Sequence, residues 1–419
     1  MPQQIALDRL RFADHVRTGD TIAWPQGPGE PLALTEALIA QRTELQRPEL
    51  LFGLTASDTL RAEYAPHFAF RALNGAGGNR RVTSLAEIVP AQLSTFPRLM
   101  RERLLKVDVA LVQVRPLPEG GYSTGVISDF SGAMIKAARV VIALLNPALP
   151  LMRADARVEE TDIDILVDGD TRIIDMPDPD PSDAERRVAE HVAALVPNRA
   201  TVQFGVGTLP SAVARALNGH QGLGVLSGVF SDLLVDLVER GVVTNAHKHR
   251  DVGKSITGGL FGTQRLRDFA ATSGCVEMRD VEYTHALAVT SLIPNFFTIN
   301  SALEVDLTGQ ANSEVAGGRY LGAVGGQVDY VRAGNASPGG LSILAFASTT
   351  PDGKISRIVT NLDGRPVTTS RSDVDVIVTE YGAAQLRGHG FKERAKRLIA
   401  IAHPDFRESL ERSLHATKS

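Results

Sequence analysis

Two stretches of the chain, about 180 residues apart, follow one pattern: a short apolar strand ending in an aromatic residue, a glycine turn, a proline and a helix closing on Ala-Leu. The first runs from Thr21 to Leu38 through Trp24, Gly27 and Pro31; the second runs from Thr201 to Leu217 through Phe204, Gly207 and Pro210. A repeat of this kind predicts two similar α/β halves. The apolar runs Leu50 to Leu54, Val107 to Val114 and Val140 to Leu145, each bounded by turns, read as buried parallel strands. Helical segments near 90–104 and 130–139 would cover them, giving the alternation of an open α/β sheet. Residues 7–18 are expected to form a short amphipathic helix, with Leu7, Leu10, Phe12 and Val16 on its apolar side.

Between the halves, Asp175 to Asp183 is rich in proline and acid and poor in packing residues, so it reads as a linker. Ser182 with Glu185 three residues on forms a capping box for a helix over Ala184 to Leu195. The expected domains are therefore 1–183 and 184–419.

Composition narrows the function. The chain has 419 residues, a formal charge of −4 and scattered basic residues, which argues against nucleic-acid binding. No stretch approaches the roughly 20 apolar residues that span a bilayer, and the N-terminus lacks a basic-flanked apolar run, so a cytoplasmic protein without membrane partners is expected. Cys275 is the single cysteine, which excludes an intrachain disulfide and a thiolate metal cluster; no base stands beside it in sequence to make it a nucleophile. His and carboxylates nowhere take metal-ligand spacing, so no metal is expected.

The turn Gly205-Val206-Gly207 lets backbone approach a ligand and presents free N–H groups at a helix start, a seat for an anion or a developing oxyanion. The loop Leu73 to Arg81, with three glycines before Arg80 and Arg81, reads either as a phosphate-approaching loop or as a solvated one. Ser128-Asp129 and Asn146-Pro147 fall at strand-end positions where open α/β folds gather ligands.

The stretch Leu223 to Asn245 resembles the acetyl-CoA hydrolase/transferase family of the CoA-transferase superfamily, as do Ile299 to Glu314, Gly325 to Arg332, Gly353 to Val359, Val378 to Gly382 and Ile401 to Arg407. The resemblance covers essentially the whole chain. It implies two similar open α/β domains of the CoA-transferase fold, an acyl-CoA substrate bound between them, coenzyme A entering as a thioester, and a homo-oligomer, by default a dimer. In the family a Gly-Val-Gly turn precedes His-Thr-Glu-Met-Phe-Ser-Asp-Gly, whose glutamate attacks the acyl-CoA and becomes a glutamyl-CoA thioester. Here those first four positions read Leu226, Ser227, Gly228 and Val229. Glycine has no carboxylate to accept an acyl group, so ping-pong transfer on Gly228 is excluded.

The resemblance further implies an oxyanion hole from the backbone N–H of Val206 and another near Gly325 and Gly326. It also puts Gly205, Gly207 and Gln327 among the CoA-contacting positions. Lys354 and Arg357 read as partners for CoA phosphates or as solvated surface charges. Where relatives carry the Asn that orients the glutamate, this chain has His285. An imidazole with an ordinary pKa of about 6.5 would serve as a base toward water, and we expect His285 and a water in the space vacated at Gly228; the alternative is a core histidine that only hydrogen-bonds. Glu304, Asp306, Glu314, Glu380 and Ser227 are further candidates to replace the nucleophile, or else loop-holding residues. The expected function is water-driven acyl-CoA hydrolysis. Two alternatives remain open: carbon-carbon bond hydrolysis of a cyclic β-keto acyl-CoA, and a non-catalytic CoA-binding role.

Overall fold

The computed structural model describes residues 2–152 and 157–416. Its strands fall into two main sheets. The first contains, in spatial order, Ala86–Ile88, Ala69–Ala72, Glu49–Phe52, Thr21–Trp24, Val109–Pro116, Val140–Leu145, Ile165–Asp168 and Gln3–Ala6, every neighbouring pair parallel. The second contains Val276–Met278, Ser255–Thr257, Gly224–Ser227, Thr201–Phe204, Phe296–Ser301, Leu341–Ala345, Val376–Thr379 and Gly382–Gln385. Position for position the order is the same; only the last strand differs, pairing antiparallel in the second sheet. The two stretches that repeat in sequence occupy equivalent central strands, each followed by its helix, Leu32–Ala40 and Thr208–Ala216.

The strands are apolar on both faces because helices cover both. In the first sheet Ile22, Leu50, Leu111 and Ile142 enter one core while Ala23, Leu51, Val112 and Val141 enter another, as alternation along a strand requires. In the second sheet Val202, Phe297 and Ile343 face one core, and Leu226, Phe296 and Leu344 face the other side.

Residues 7–18 do not form the expected amphipathic helix. Two 3-10 turns, Leu7–Arg9 and Phe12–Asp14, stand there, joined by extended Leu10 and Arg11. The two-residue step from Leu10 to Phe12, both buried, is a strand spacing that interrupts a helical stripe. The linker is also more tied down than its composition suggests. The Met176 N–H donates to the Gly262 carbonyl, and the Asp178 carboxylate accepts from the Leu233 N–H at 3.0 Å and the Ser211 hydroxyl at 3.0 Å. Acidic residues here cap a helix start instead of facing water. The Ser182–Glu185 capping box is present and opens the helix Asp183–Leu195.

The two halves meet through backbone and side-chain bonds: Ser128 N–H to the Gly258 carbonyl, Gly75 N–H to the Gly322 carbonyl, Leu93 N–H to the Gly325 carbonyl, and the Ser94 hydroxyl to Asp329 at 2.7 Å. These contacts bring the carboxyl ends of both sheets to one cleft, each at the point where strand order reverses.

Candidate active site

The cleft has a cavity of about 520 Å³ with walls from both halves. Gln26, Gly53, Leu73, Phe96 and Asp129 come from the first; Gly205 to Gly207, Gly228, His285, Gly325 to Gln327 and Tyr330 come from the second. A second cavity of about 690 Å³ adjoins it, sharing Arg80, Val206 and Gly207, and continues past Glu185, Ser301 and Ala347 to Arg357.

The glycine turn is shaped by its backbone. Gly207 has φ +126°, where L side chains are strained, and it precedes the helix Thr208–Ala216. Val206, 51% exposed, stands between the two cavities. Gly325, at φ +52°, is held from the other half by the Leu93 N–H.

Gly228 ends the strand Gly224–Ser227, and His285 follows the short helix Val281–Thr284. A Cβ placed on Gly228 would lie 2.8 Å from His285 Cε1 and 3.1 Å from Nε2; one on Gly326 would lie 2.5 Å from Nε2. No real Cβ tolerates such distances, so both positions need glycine because the imidazole lies between them. Tyr330 backs the ring, with centroids 4.5 Å apart, and its hydroxyl is 3.5 Å from the same Gly228 Cβ position.

Hydrogen bonding sets the tautomer. The Thr284 hydroxyl donates to the Asp280 carbonyl at 3.0 Å, which leaves its oxygen to accept from His285 Nδ1–H at 2.9 Å. Nε2 is then the lone-pair nitrogen; the ring's hydrogen bond among the described residues is the one at Nδ1. His285 does not have the ordinary pKa expected from sequence: burial pushes it down to about 3, since no facing carboxylate offsets the loss of water. The imidazole is therefore neutral at physiological pH. Tyr330 Oη is buried with no well-formed hydrogen bond, its polar neighbours being the Thr284 hydroxyl and the Gly228 N–H, and burial holds its pKa well above the usual phenol value. Burial also raises Asp129 to about 6, although Ser131 and Gln26 donate to it.

The competing nucleophile candidates are engaged elsewhere. Ser227 Oγ donates to the Phe204 carbonyl and accepts from the Phe204 and Val229 N–H groups. Glu304 pairs with Arg365 and Asn312, Asp306 closes its own turn with Thr308 and Gln310, Glu314 accepts from Thr368 and Tyr320, and Glu380 accepts from Ser348. None of these four carboxylates lines the 520 Å³ cavity. Gln327 lines it, but its amide donates to Thr369. Arg357 lines the second cavity, half-buried; its backbone bonds Ser348 and Val305, and burial lowers its pKa against the opposing charges of Glu185 and Glu380. Lys354 is exposed and is not among the residues that line the cavity, although Gly353 before it is. Among the described residues no group of three His, Cys, Asp or Glu side chains is placed to hold a metal, and no helix is long and apolar enough to cross a membrane.

Sequence reasoning missed Tyr330 as a site residue. The available signal was its spacing: four residues after Gly326 on the helix Gln327–Ala336, which turns its ring back toward the glycine pair.

This arrangement places the chain in a known class. Residues 10–177 match the acetyl-CoA hydrolase/transferase N-terminal domain and residues 262–414 the C-terminal domain. The chain belongs to the acetyl-CoA hydrolase/transferase family. It is 37% identical over 395 residues to a 4-hydroxybutyrate coenzyme A transferase of Clostridium kluyveri, covering 93% of this chain and 92% of that one. It is 34% identical to a succinyl-CoA:cyclohexane-1-carboxylate CoA transferase of Geobacter metallireducens, over 94% and 91% of the two chains. The crystal structure of RipA from Yersinia pestis superposes with a TM-score of 0.91 at 31% identity, covering 99% of this chain and 98% of that one.

Proposed function

We propose that this protein hydrolyses an acyl-CoA thioester with water, in a site that keeps the family's oxyanion turns and has exchanged the glutamyl nucleophile for His285. The observation that carries the reading is the position of the imidazole. Its Cε1–Nε2 edge faces the volume a side chain on residue 228 would need, with Cε1 2.8 Å and Nε2 3.1 Å from the Cβ position, and the Nε2 lone pair lies between Gly228 and Gly326.

In this reading the thioester carbonyl lies between the Val206 turn and the Gly325-Gly326 turn, and the CoA arm runs toward Arg357. Arg80 and Arg357 supply positive charge along the second cavity, against one acidic wall residue, Glu185, which suits a phosphate-bearing arm. A water hydrogen-bonded to Nε2 attacks the carbonyl carbon. The carbonyl electron pair moves to oxygen, the water proton passes to Nε2, and collapse breaks the C–S bond, with the imidazolium returning the proton to the thiolate. A pKa of about 3 makes the imidazole a weak base in the empty site. The negative charge developing on the tetrahedral oxygen is the counter-charge it lacks, so basicity rises as the transition state forms.

Free-thiol release from a panel of acyl-CoAs, with and without acetate, tests this. Wild type is expected to release CoA at a rate independent of acetate. Gly228→Glu with His285→Asn, which makes room for the carboxylate, is expected to exchange acyl groups onto acetate. Absence of thiol release by wild type across the panel, with ligands still bound, would sink the hydrolytic reading; a product still attached to CoA would point to carbon-carbon cleavage.

A further inference from the structure

The site contains a second open group that the hydrolytic reading has not used. Tyr330 is 2% exposed, yet no well-formed hydrogen bond reaches its hydroxyl among the described residues; the Thr284 hydroxyl and the Gly228 N–H are its polar neighbours. Leaving a buried phenol without a good hydrogen bond is costly, so such groups are normally satisfied by protein or water. Its surroundings explain where that partner belongs. The ring is fixed on one side by Phe296, at a centroid distance of 6.3 Å, and on the other by His285, and the Tyr330 N–H donates to the Gly326 carbonyl within the helix. The hydroxyl cannot swing elsewhere without leaving this packing. Tyr330 lines the 520 Å³ cavity together with Gly228, His285 and Gly326.

The two atoms are complementary. His285 Nε2 accepts only, since Nδ1 carries the proton given to Thr284. Tyr330 Oη is a neutral phenol with a proton to donate. Both face the same position beside Gly228. One oxygen of the H–O–H type satisfies both at once: it donates to Nε2 and accepts from Oη, leaving one lone pair and one proton. A carboxylate on residue 228 would accept from Oη but, having no proton to give, would meet an accepting nitrogen at Nε2.

Resting on the hydrolytic reading, we propose that Tyr330 is the catalytic hydrogen-bond donor that fixes the attacking water against His285, and that its free lone pair is thereby aimed at the thioester carbon. During attack the bond from Oη strengthens, since the water oxygen becomes hydroxide-like as its proton moves to Nε2. No proton leaves Tyr330; the carbonyl pair goes to the oxyanion and the C–S bond breaks in collapse.

Tyr330→Phe keeps the ring and its contacts with His285 and Phe296 and deletes only the hydroxyl. The proposal expects kcat for thiol release to fall about tenfold to a hundredfold, with KM within about twofold and the melting temperature unchanged or raised, since an unsatisfied group is removed. A crystal structure of the wild-type protein is expected to hold a water between Oη and Nε2 that the variant loses. Unchanged kcat in Tyr330→Phe, alongside an active wild type and a His285→Asn variant that is slow, would overturn the role of Tyr330 and leave the hydrolytic reading standing. An inactive wild type would overturn both.

Discussion

Gly53 and Gly228 occupy equivalent places in the two sheets, each just after the strand that neighbours the repeated glycine-turn strand. A side chain would be crowded at both. At Gly53 the obstacle is Gln26, whose Cβ lies 2.9 Å and Oε1 3.0 Å from the Cβ position. Gln26 donates to Asp129 and accepts from the Leu54 N–H, so both ends of its amide are engaged. At Gly228 the obstacle is His285, whose Nε2 carries the lone pair, and beside it is the Tyr330 hydroxyl, which has no well-formed hydrogen bond. The same topology thus makes one strand end a closed structural joint and the other a chemically open one. What distinguishes them is whether the polar atoms around the missing side chain have spent their hydrogen bonds.

That contrast can be broken by substitution, and the largest effect belongs to His285. His285→Ala is expected to lower kcat for thiol release roughly a hundredfold or more, as loss of a general base does, while Gln26→Ala leaves the chemistry in place; steady-state kinetics of both variants compares them. Next, Gly228→Ala should cost ~1–3 kcal/mol from overpacking against an imidazole with no room to retreat, and should abolish most activity. Gly53→Ala should cost a comparable amount without touching the chemistry, because the nearest atom there is the Gln26 Cβ, fixed by its backbone, and the amide beyond it is engaged at both ends; chemical denaturation measures both.

A smaller effect separates the two ends of the cleft. Arg357→Ala is expected to raise KM for acyl-CoA about tenfold with little change in kcat, as loss of one charge-assisted bond does, whereas Lys354→Ala should change neither. The smallest is a pH effect on stability. The folded-state pKa of His285, about 3, lies below its unfolded value, so the unfolded chain binds more protons and stability falls as pH drops from about 6.5 toward 3. Asp129 and Asp329, both raised by burial to about 6, act oppositely and favour the folded state as pH falls toward 4. Subtracting the pH profile of melting temperature of His285→Asn from that of wild type isolates the histidine: the wild type should lose more stability below pH 6.5 than the variant.

The fold was legible because it is written twice. The repeat from Thr21 and from Thr201 and the apolar runs at 50–54, 107–114 and 140–145 all fall on parallel strands. Residues 7–18 misled because burial of Leu10 and Phe12 by tertiary packing imitates a helical stripe in composition but not in spacing. At the site, glycine at 228 and histidine at 285 are plain in the sequence, but not that they share one volume. That depends on a strand end and a short helix 57 residues apart in sequence meeting within van der Waals distance. The lowered pKa of His285 follows from burial without a counter-charge, which no spacing reveals. Tyr330 escaped notice because its significance lies in the hydrogen bond it does not make.

The central claim is that water, not a protein carboxylate, takes the acyl group beside Gly228. It is tested most directly by a single turnover of acyl-CoA in ¹⁸O-labelled water with protein in excess, followed by mass spectrometry of product and protein. The account predicts one labelled oxygen in the released carboxylic acid and none in any Asp or Glu of the chain. Label appearing in a protein carboxylate would reveal a covalent acyl-enzyme and contradict it.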